Sequence, residues 1–133
     1  LYQTWARAGR PEMQPTLVAV YDDLAKACTA ARAAEGGVTV VPVGQAWQRA
    51  LAADPPPSLH KGDGSHPTPA GTYLAACTFY AVIHGASPVG LPGDPCGLDD
   101  ATARRLQQAA WDAVEARAVA TDARADASSA LAH

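Results

Sequence analysis

Val38-Thr39-Val40-Val41-Pro42-Val43 is the segment that most restricts what this chain can fold into. β-Branched side chains lose rotamers in a helix and pack well on a pleated strand. Almost every residue here is apolar, so a strand needs cover on both faces, as in the middle of a parallel sheet. On its N-terminal side the pattern is helical. Leu17, Val20, Tyr21, Leu24 and Cys28 recur at three- and four-residue steps, one apolar stripe. Pro15 suits the first turn of that helix and Gly36-Gly37 its end. On the C-terminal side, residues 44–53 read as a short helix containing Trp47 and Leu51. Asp54-Pro55-Pro56-Pro57 breaks it with a stiff surface connector. Residues 1–5 read as a second short buried strand, and residues 6–14, with Gly9 and Pro11, as a loop.

Thr68 is a good N-cap and Pro69 fits the first helical position. The helix they start runs to about His84 and is apolar nearly all round, which predicts burial on most sides. Gly85 ends it. Residues 86–98 form a Gly/Pro loop. Asp99 or Asp100 then caps a last helix through about Ala120, with Leu106, Ala110 and Val114 on one face and Trp111 beside it. Residues 121–133 are Ala, Asp and Ser with little to bury, and are expected to fray or be disordered. The order strand, helix, strand, short helix, turn, helix, helix predicts α/β layers around a parallel sheet. Two strands make a poor sheet, since about five is usual. That deficit, with a start inside a strand and no initiator Met, predicts that residues 1–120 are the C-terminal part of one longer domain.

Composition narrows the function classes. Apolar residues make up 48% of the chain, but many are Ala, so the core is thin for that figure. The net charge of −3, from 10 basic and 13 acidic residues without a Lys/Arg cluster, argues against a nucleic-acid surface. The longest apolar run is short of the ~18 residues a membrane span needs. Cys28, Cys77 and Cys96 match neither a disulfide framework nor a zinc knuckle. They read as two buried small apolar residues and one loop thiol, with Cys77 inert on a buried helix. The compartment is left open.

The chemistry concentrates in residues 59–71, Leu-His-Lys-Gly-Asp-Gly-Ser-His-Pro-Thr-Pro-Ala-Gly. Histidine suits proton transfer near neutral pH. A carboxylate on its Nδ1 fixes the tautomer and stabilises the imidazolium as it forms. Asp63 and His66 are three residues apart, and Gly62 and Gly64 free the backbone to fold Asp63 back. The helix start just after His66 disfavours the protonated ring, while Asp63 favours it. Ser65 adjoins His66, but neighbouring side chains point apart, which disqualifies it as the nucleophile.

This segment resembles block V of the SGNH (GDSL-like) hydrolases, an Asp-x-x-His near the C-terminus, here Asp63-Gly64-Ser65-His66. Residues 63–77, Asp-Gly-Ser-His-Pro-Thr-Pro-Ala-Gly-Thr-Tyr-Leu-Ala-Ala-Cys, are similar to one bacterial branch of that superfamily. Residues 1–7 resemble a late strand and its Thr-Trp-Ala turn, and residues 40–47 the last strand running into a short helix. The resemblance covers roughly residues 1–115. It implies a three-layer α/β/α sandwich of the flavodoxin-like type, seen from its C-terminal part. It also implies an esterase acting on acyl or acetyl esters, those of carbohydrates included, with His66 as general base, Asp63 as its orienting partner and no cofactor. The family's Gly-Asp-Ser nucleophile and the Gly and Asn of its oxyanion hole match nothing in residues 1–58. Gly62-Asp63-Gly64 is not that motif, because no apolar strand leads into it.

Other assignments stay open beside this one. Without a nucleophile, the chain also reads as a non-catalytic remnant or a module that binds a ligand or partner. His60, Asp63 and His66 form an evenly spaced His-x-x-Asp-x-x-His with ligand types that suit zinc. Trp5 follows a strand end, where α/β sheets bind ligands, and reads either as a wall for an acyl or sugar group or as a packed aromatic. Trp47 and Trp111 read as packing, and His84 as a cap on helix-end carbonyls.

Overall fold

The computed structural model describes residues 1–91 and 96–131. Four α-helices carry the fold: α1 Gln14–Ala31, α2 Val43–Leu51, α3 Pro69–His84 and α4 Asp100–Leu131. Local chemistry sets the bounds of α3. The Thr68 hydroxyl accepts the Gly71 N–H at 3.2 Å, and Pro69 occupies the first turn, where no N–H is needed. Gly85 closes the helix with φ 59°, the left-handed conformation that glycine adopts freely.

The core lies where α2, α3 and α4 meet. Val43, Ala46, Trp47 and Ala50 of α2 face Tyr73, Leu74 and Cys77 of α3. Ala103, Leu106, Ala109, Ala110 and Ala113 close it from α4. Alanines on α4 let α3 approach closely, so one large side chain, Leu106, does most of the filling from that side. Burying such a leucine contributes roughly 1.5–3 kcal/mol. Gly71 is a close approach within this core. A Cβ there would lie 2.5 Å from Cη2 of Trp47 and 2.6 Å from the Leu59 carbonyl oxygen.

Buried amides tie loops to this frame. Gln14 Oε1 accepts the Ala6 N–H at 2.7 Å, anchoring residues 4–6 to the start of α1. Gln107 Nε2 donates to the Tyr73 hydroxyl at 2.8 Å, and its Oε1 accepts the Gly90 N–H at 2.9 Å. An ion pair from Arg117 to Asp22, 2.8 Å and mostly buried, links α4 to α1.

The three-layer α/β/α, flavodoxin-like sandwich implied by the SGNH resemblance is not formed. The described residues make an all-helical fold with no strand or sheet. The two expected strands do meet, with Val41 N–H donating to Leu1 O at 2.7 Å and Gln3 N–H to Val41 O at 3.0 Å. The contact is a single parallel bridge, Tyr2 to Val41, and Val43 already opens α2. A parallel ladder gains stability from neighbours on both sides. Among the described residues no third strand supplies them. The apolar stripe on α1 is only partly covered: Leu17, Tyr21 and Cys28 are half-buried, while Val20 is 55% and Leu24 45% exposed.

Helix α4 passes the boundary expected near Ala120 and continues to Leu131. Residues 132 and 133 of the expected tail, and residues 92–95 of the expected Gly/Pro loop, lie outside the described residues.

Candidate active site

Residues 59–68 fold back on themselves before α3. His60 and Pro67 form an antiparallel bridge, Lys61 N–H donates to His66 O at 2.8 Å, and Thr68 N–H donates to Leu59 O at 2.9 Å. The reversal is a turn closed by Gly64 N–H on Lys61 O at 2.8 Å, with Gly64 at φ 68°. A side chain at this left-handed position would be strained, which is why glycine fits it.

The turn presents the Asp63 carboxylate to three donors. Oδ1 accepts the backbone N–H groups of Ser65 at 2.9 Å and His66 at 3.0 Å. Oδ2 meets Nδ1 of His66 at 2.5 Å. The Ser65 N–H first, then the imidazole and the His66 N–H, hold the Asp63 carboxyl well below the usual carboxylate range. An ionised carboxylate only accepts, so Nδ1 carries a proton, and in the neutral imidazole Nε2 is then the nitrogen with the lone pair. No described residue bonds that Nε2. The side chains of His66 and Asp63 are 73% and 50% exposed, so the pair stands on an open surface.

Two cavities lie elsewhere. One of about 230 Å³ has Ala50, Leu106 and Ala109 in its wall, and another of about 310 Å³ runs between α1, α2 and α4. Neither is lined by Asp63 or His66.

His60 leaves the cluster that would bind a metal. Its Nε2 lies 3.1 Å from the Ala6 carbonyl, an acceptor, so Nε2 carries a proton. Its ring packs edge-on against Trp47, with centroids 5.1 Å apart. No group of three His, Cys, Asp or Glu among the described residues is placed to hold a metal ion, which removes the His60, Asp63, His66 site.

Trp5 packs and also bonds the loop. Its ring stacks on Trp47 at 4.0 Å with planes 4° apart, and its Nε1–H donates to Ser65 O at 3.0 Å. Ala8 N–H donates to Gly64 O at 2.9 Å. These links from residues 5–8 to the turn join positions far apart in the chain, and nothing in the local sequence announces them. Trp47 is a packing residue, 1% exposed. No disulfide joins the three cysteines; Cys77 is buried and Cys28 and Cys96 are partly so. Burial pushes the Cys77 thiol up to about 11, which leaves it inert at neutral pH. His84 lies against the Tyr80 ring at 4.6 Å. No helix among the described residues is long and apolar enough to cross a membrane.

No protein-family model matches the chain, and no curated protein matches it. Among solved structures, it is similar to a DUF4886 family protein from Bacteroides uniformis, at 26% sequence identity and a TM-score of 0.60. The match covers 85% of this chain and 46% of that one, so the chain spans less than half of its structural neighbour's length.

Proposed function

We propose that Asp63 and His66 are the acid/base half of an ester-hydrolysing site. The observation that carries this reading is the 2.5 Å contact between His66 Nδ1 and Asp63 Oδ2, which makes Nε2 the acceptor nitrogen of the neutral ring, on a side chain that is 73% exposed. The motif resemblance over residues 63–77 supports it and supplies the reaction class.

In this reading a serine outside the described constellation attacks the acyl carbon of an ester. His66 Nε2 takes the serine proton as the new C–O bond forms. Asp63 keeps the ring in the productive tautomer and stabilises the imidazolium without taking the proton itself. The proton then passes from Nε2 to the departing alkoxide as its C–O bond breaks. Water, deprotonated by the same nitrogen, then attacks the acyl-serine, and Nε2 returns that proton to the serine oxygen as its bond to the acyl carbon breaks and the acid leaves. Acyl or acetyl esters, those of carbohydrates included, are the substrate class.

Hydrolysis of p-nitrophenyl acetate tests the reading. The 133-residue chain should show no turnover above its own His66→Ala variant. In a longer polypeptide that joins this chain to a Gly-Asp-Ser segment, His66→Ala should cost about 10³-fold or more in kcat. Near-normal turnover by that variant would end the assignment. A second reading, a ligand- or partner-binding module without catalysis, is favoured by the openness of the pair. It predicts that such a longer polypeptide is equally inactive with and without His66.

A further inference from the structure

Two successive peptide groups of the turn are each held from both sides. In the Gly64–Ser65 peptide, the carbonyl accepts Ala8 N–H at 2.9 Å and the N–H donates to Asp63 Oδ1 at 2.9 Å. In the Ser65–His66 peptide, the carbonyl accepts Trp5 Nε1–H at 3.0 Å and the N–H donates to Asp63 Oδ1 at 3.0 Å. A trans peptide is planar, with its C=O and N–H pointing in opposite directions, so fixing one end aims the other. The outer donors come from residues 5–8, and the inner acceptor is the same carboxylate oxygen in both cases. With Oδ1 occupied by two N–H groups, Oδ2 is the oxygen left facing His66 Nδ1.

The two outer donors differ in kind. The Ala8 donor is a backbone N–H that any residue except proline supplies. The Trp5 donor is a side chain, so the sequence specifies it. The indole is also held in place. It stacks on the buried ring of Trp47 and touches Tyr2, which meets Phe79 edge-on at 5.1 Å, while His60 meets Trp47 at the other end. An aromatic column from Phe79 to His60 therefore fixes the direction in which the Trp5 N–H points.

We infer that Trp5 is a positioning residue for His66, its indole N–H setting the Ser65–His66 peptide plane and so the carboxylate oxygen that holds the imidazole. The indole N–H serves the loop rather than a substrate. The inference deepens the acid/base reading and takes its importance from it, but its test does not depend on hydrolysis.

The test is NMR on the ¹⁵N-labelled 133-residue chain. In the unsubstituted protein, the Trp5 indole proton should exchange with solvent clearly more slowly than a free indole. Trp5→Phe keeps a ring against Trp47 and removes the donor. It should speed exchange of the Ser65 and His66 backbone amides by roughly tenfold or more, the mark of a local opening. It should also shift the His66 ring nitrogens toward a mixture of tautomers while Leu74 and Leu106 amides stay protected. Trp47→Phe is the control for packing, because it keeps a ring stacked on Trp5 and removes only an indole N–H that has no partner among the described residues. It should leave the His66 tautomer unchanged. An indole proton at Trp5 that exchanges as freely as in solution overturns the inference without any variant, even where Trp5→Phe fails to fold. So does Trp5→Phe that leaves His66 unaltered, or Trp47→Phe that alters it equally. If Trp5→Phe loosens the loop but no longer polypeptide ever hydrolyses an ester, the acid/base reading falls and the positioning role stands.

Discussion

His66 bonds Asp63 twice, through different oxygens: its backbone N–H to Oδ1 at 3.0 Å and its ring Nδ1 to Oδ2 at 2.5 Å. The carboxylate cannot rotate without losing one of them. Asp63→Asn exposes that dependence. An asparagine whose oxygen keeps the two backbone donors must turn its NH₂ toward the ring, and two donors cannot pair. The ring then accepts at Nδ1 and protonates at Nε2, the reverse of the native tautomer. Long-range ¹H–¹⁵N correlation should show the switch directly. In any active assembly containing the chain, the same change should lower kcat by about 10⁴-fold, the cost of a reversed tautomer in a serine hydrolase.

The depressed Asp63 carboxyl gives a pH signature. A group whose folded pKa lies below its unfolded value stabilises the native state above the unfolded pKa, about 3.9 for Asp, and stops doing so as pH falls through the folded value. The difference in denaturation midpoint between the native chain and Asp63→Asn should therefore be present at pH 5. It should shrink progressively below about pH 4. Urea titrations across that range check it. The pair is exposed, so the difference is small at every pH.

Gly71→Ala should destabilise the fold although alanine is the better helix former by up to about 1 kcal/mol. The added methyl meets Cη2 of Trp47 at 2.5 Å and the Leu59 carbonyl at 2.6 Å, and a backbone carbonyl cannot swing aside. Overpacking of this kind costs about 1–3 kcal/mol, read as a lowered urea midpoint.

Thr68→Ala removes the acceptor of the Gly71 N–H and the donor to Ser58 O at 2.7 Å. Loss of an N-cap costs ~1 kcal/mol, and Thr68→Ser should recover most of it. Thermal denaturation of the two variants side by side separates the hydroxyl from the methyl.

Leu74 and Leu24 are both helical leucines, one fully buried and the other 45% exposed. Leu74→Ala should cost roughly 2–5 kcal/mol, whereas Leu24→Gln should stay within about 0.5 kcal/mol. A large loss at Leu24 would mean that the α1 stripe is covered in solution.

Much of the helical structure was legible because its signals are local. Thr68-Pro69 and Gly85 bound α3 where the sequence predicts, and Pro15 sits in the first turn of α1. The Asp63-x-x-His66 spacing was legible in the same way, since a glycine-flanked turn is all that brings the two side chains together. The two extended segments depart from the expected strands for a different reason. A β-branched run such as residues 38–43 states a preference, but a ladder exists only if partners arrive from elsewhere in the chain. His60 shows the same limit. Its even spacing from Asp63 and His66 suggested a shared ligand set, and the carbonyl of Ala6 took its Nε2 instead.

By itself, then, the sequence determined the bounds of α3, the glycine at the left-handed position and the turn that brings Asp63 to His66. Each depends on the conformations open to a few consecutive residues. The tertiary structure decided which apolar faces are covered, that the two extended segments make one bridge rather than a sheet, and that Trp5 reaches across the fold to the carbonyl beside His66. Those outcomes depend on competition among distant groups for the same partners, and no stretch of residues encodes the result of that competition.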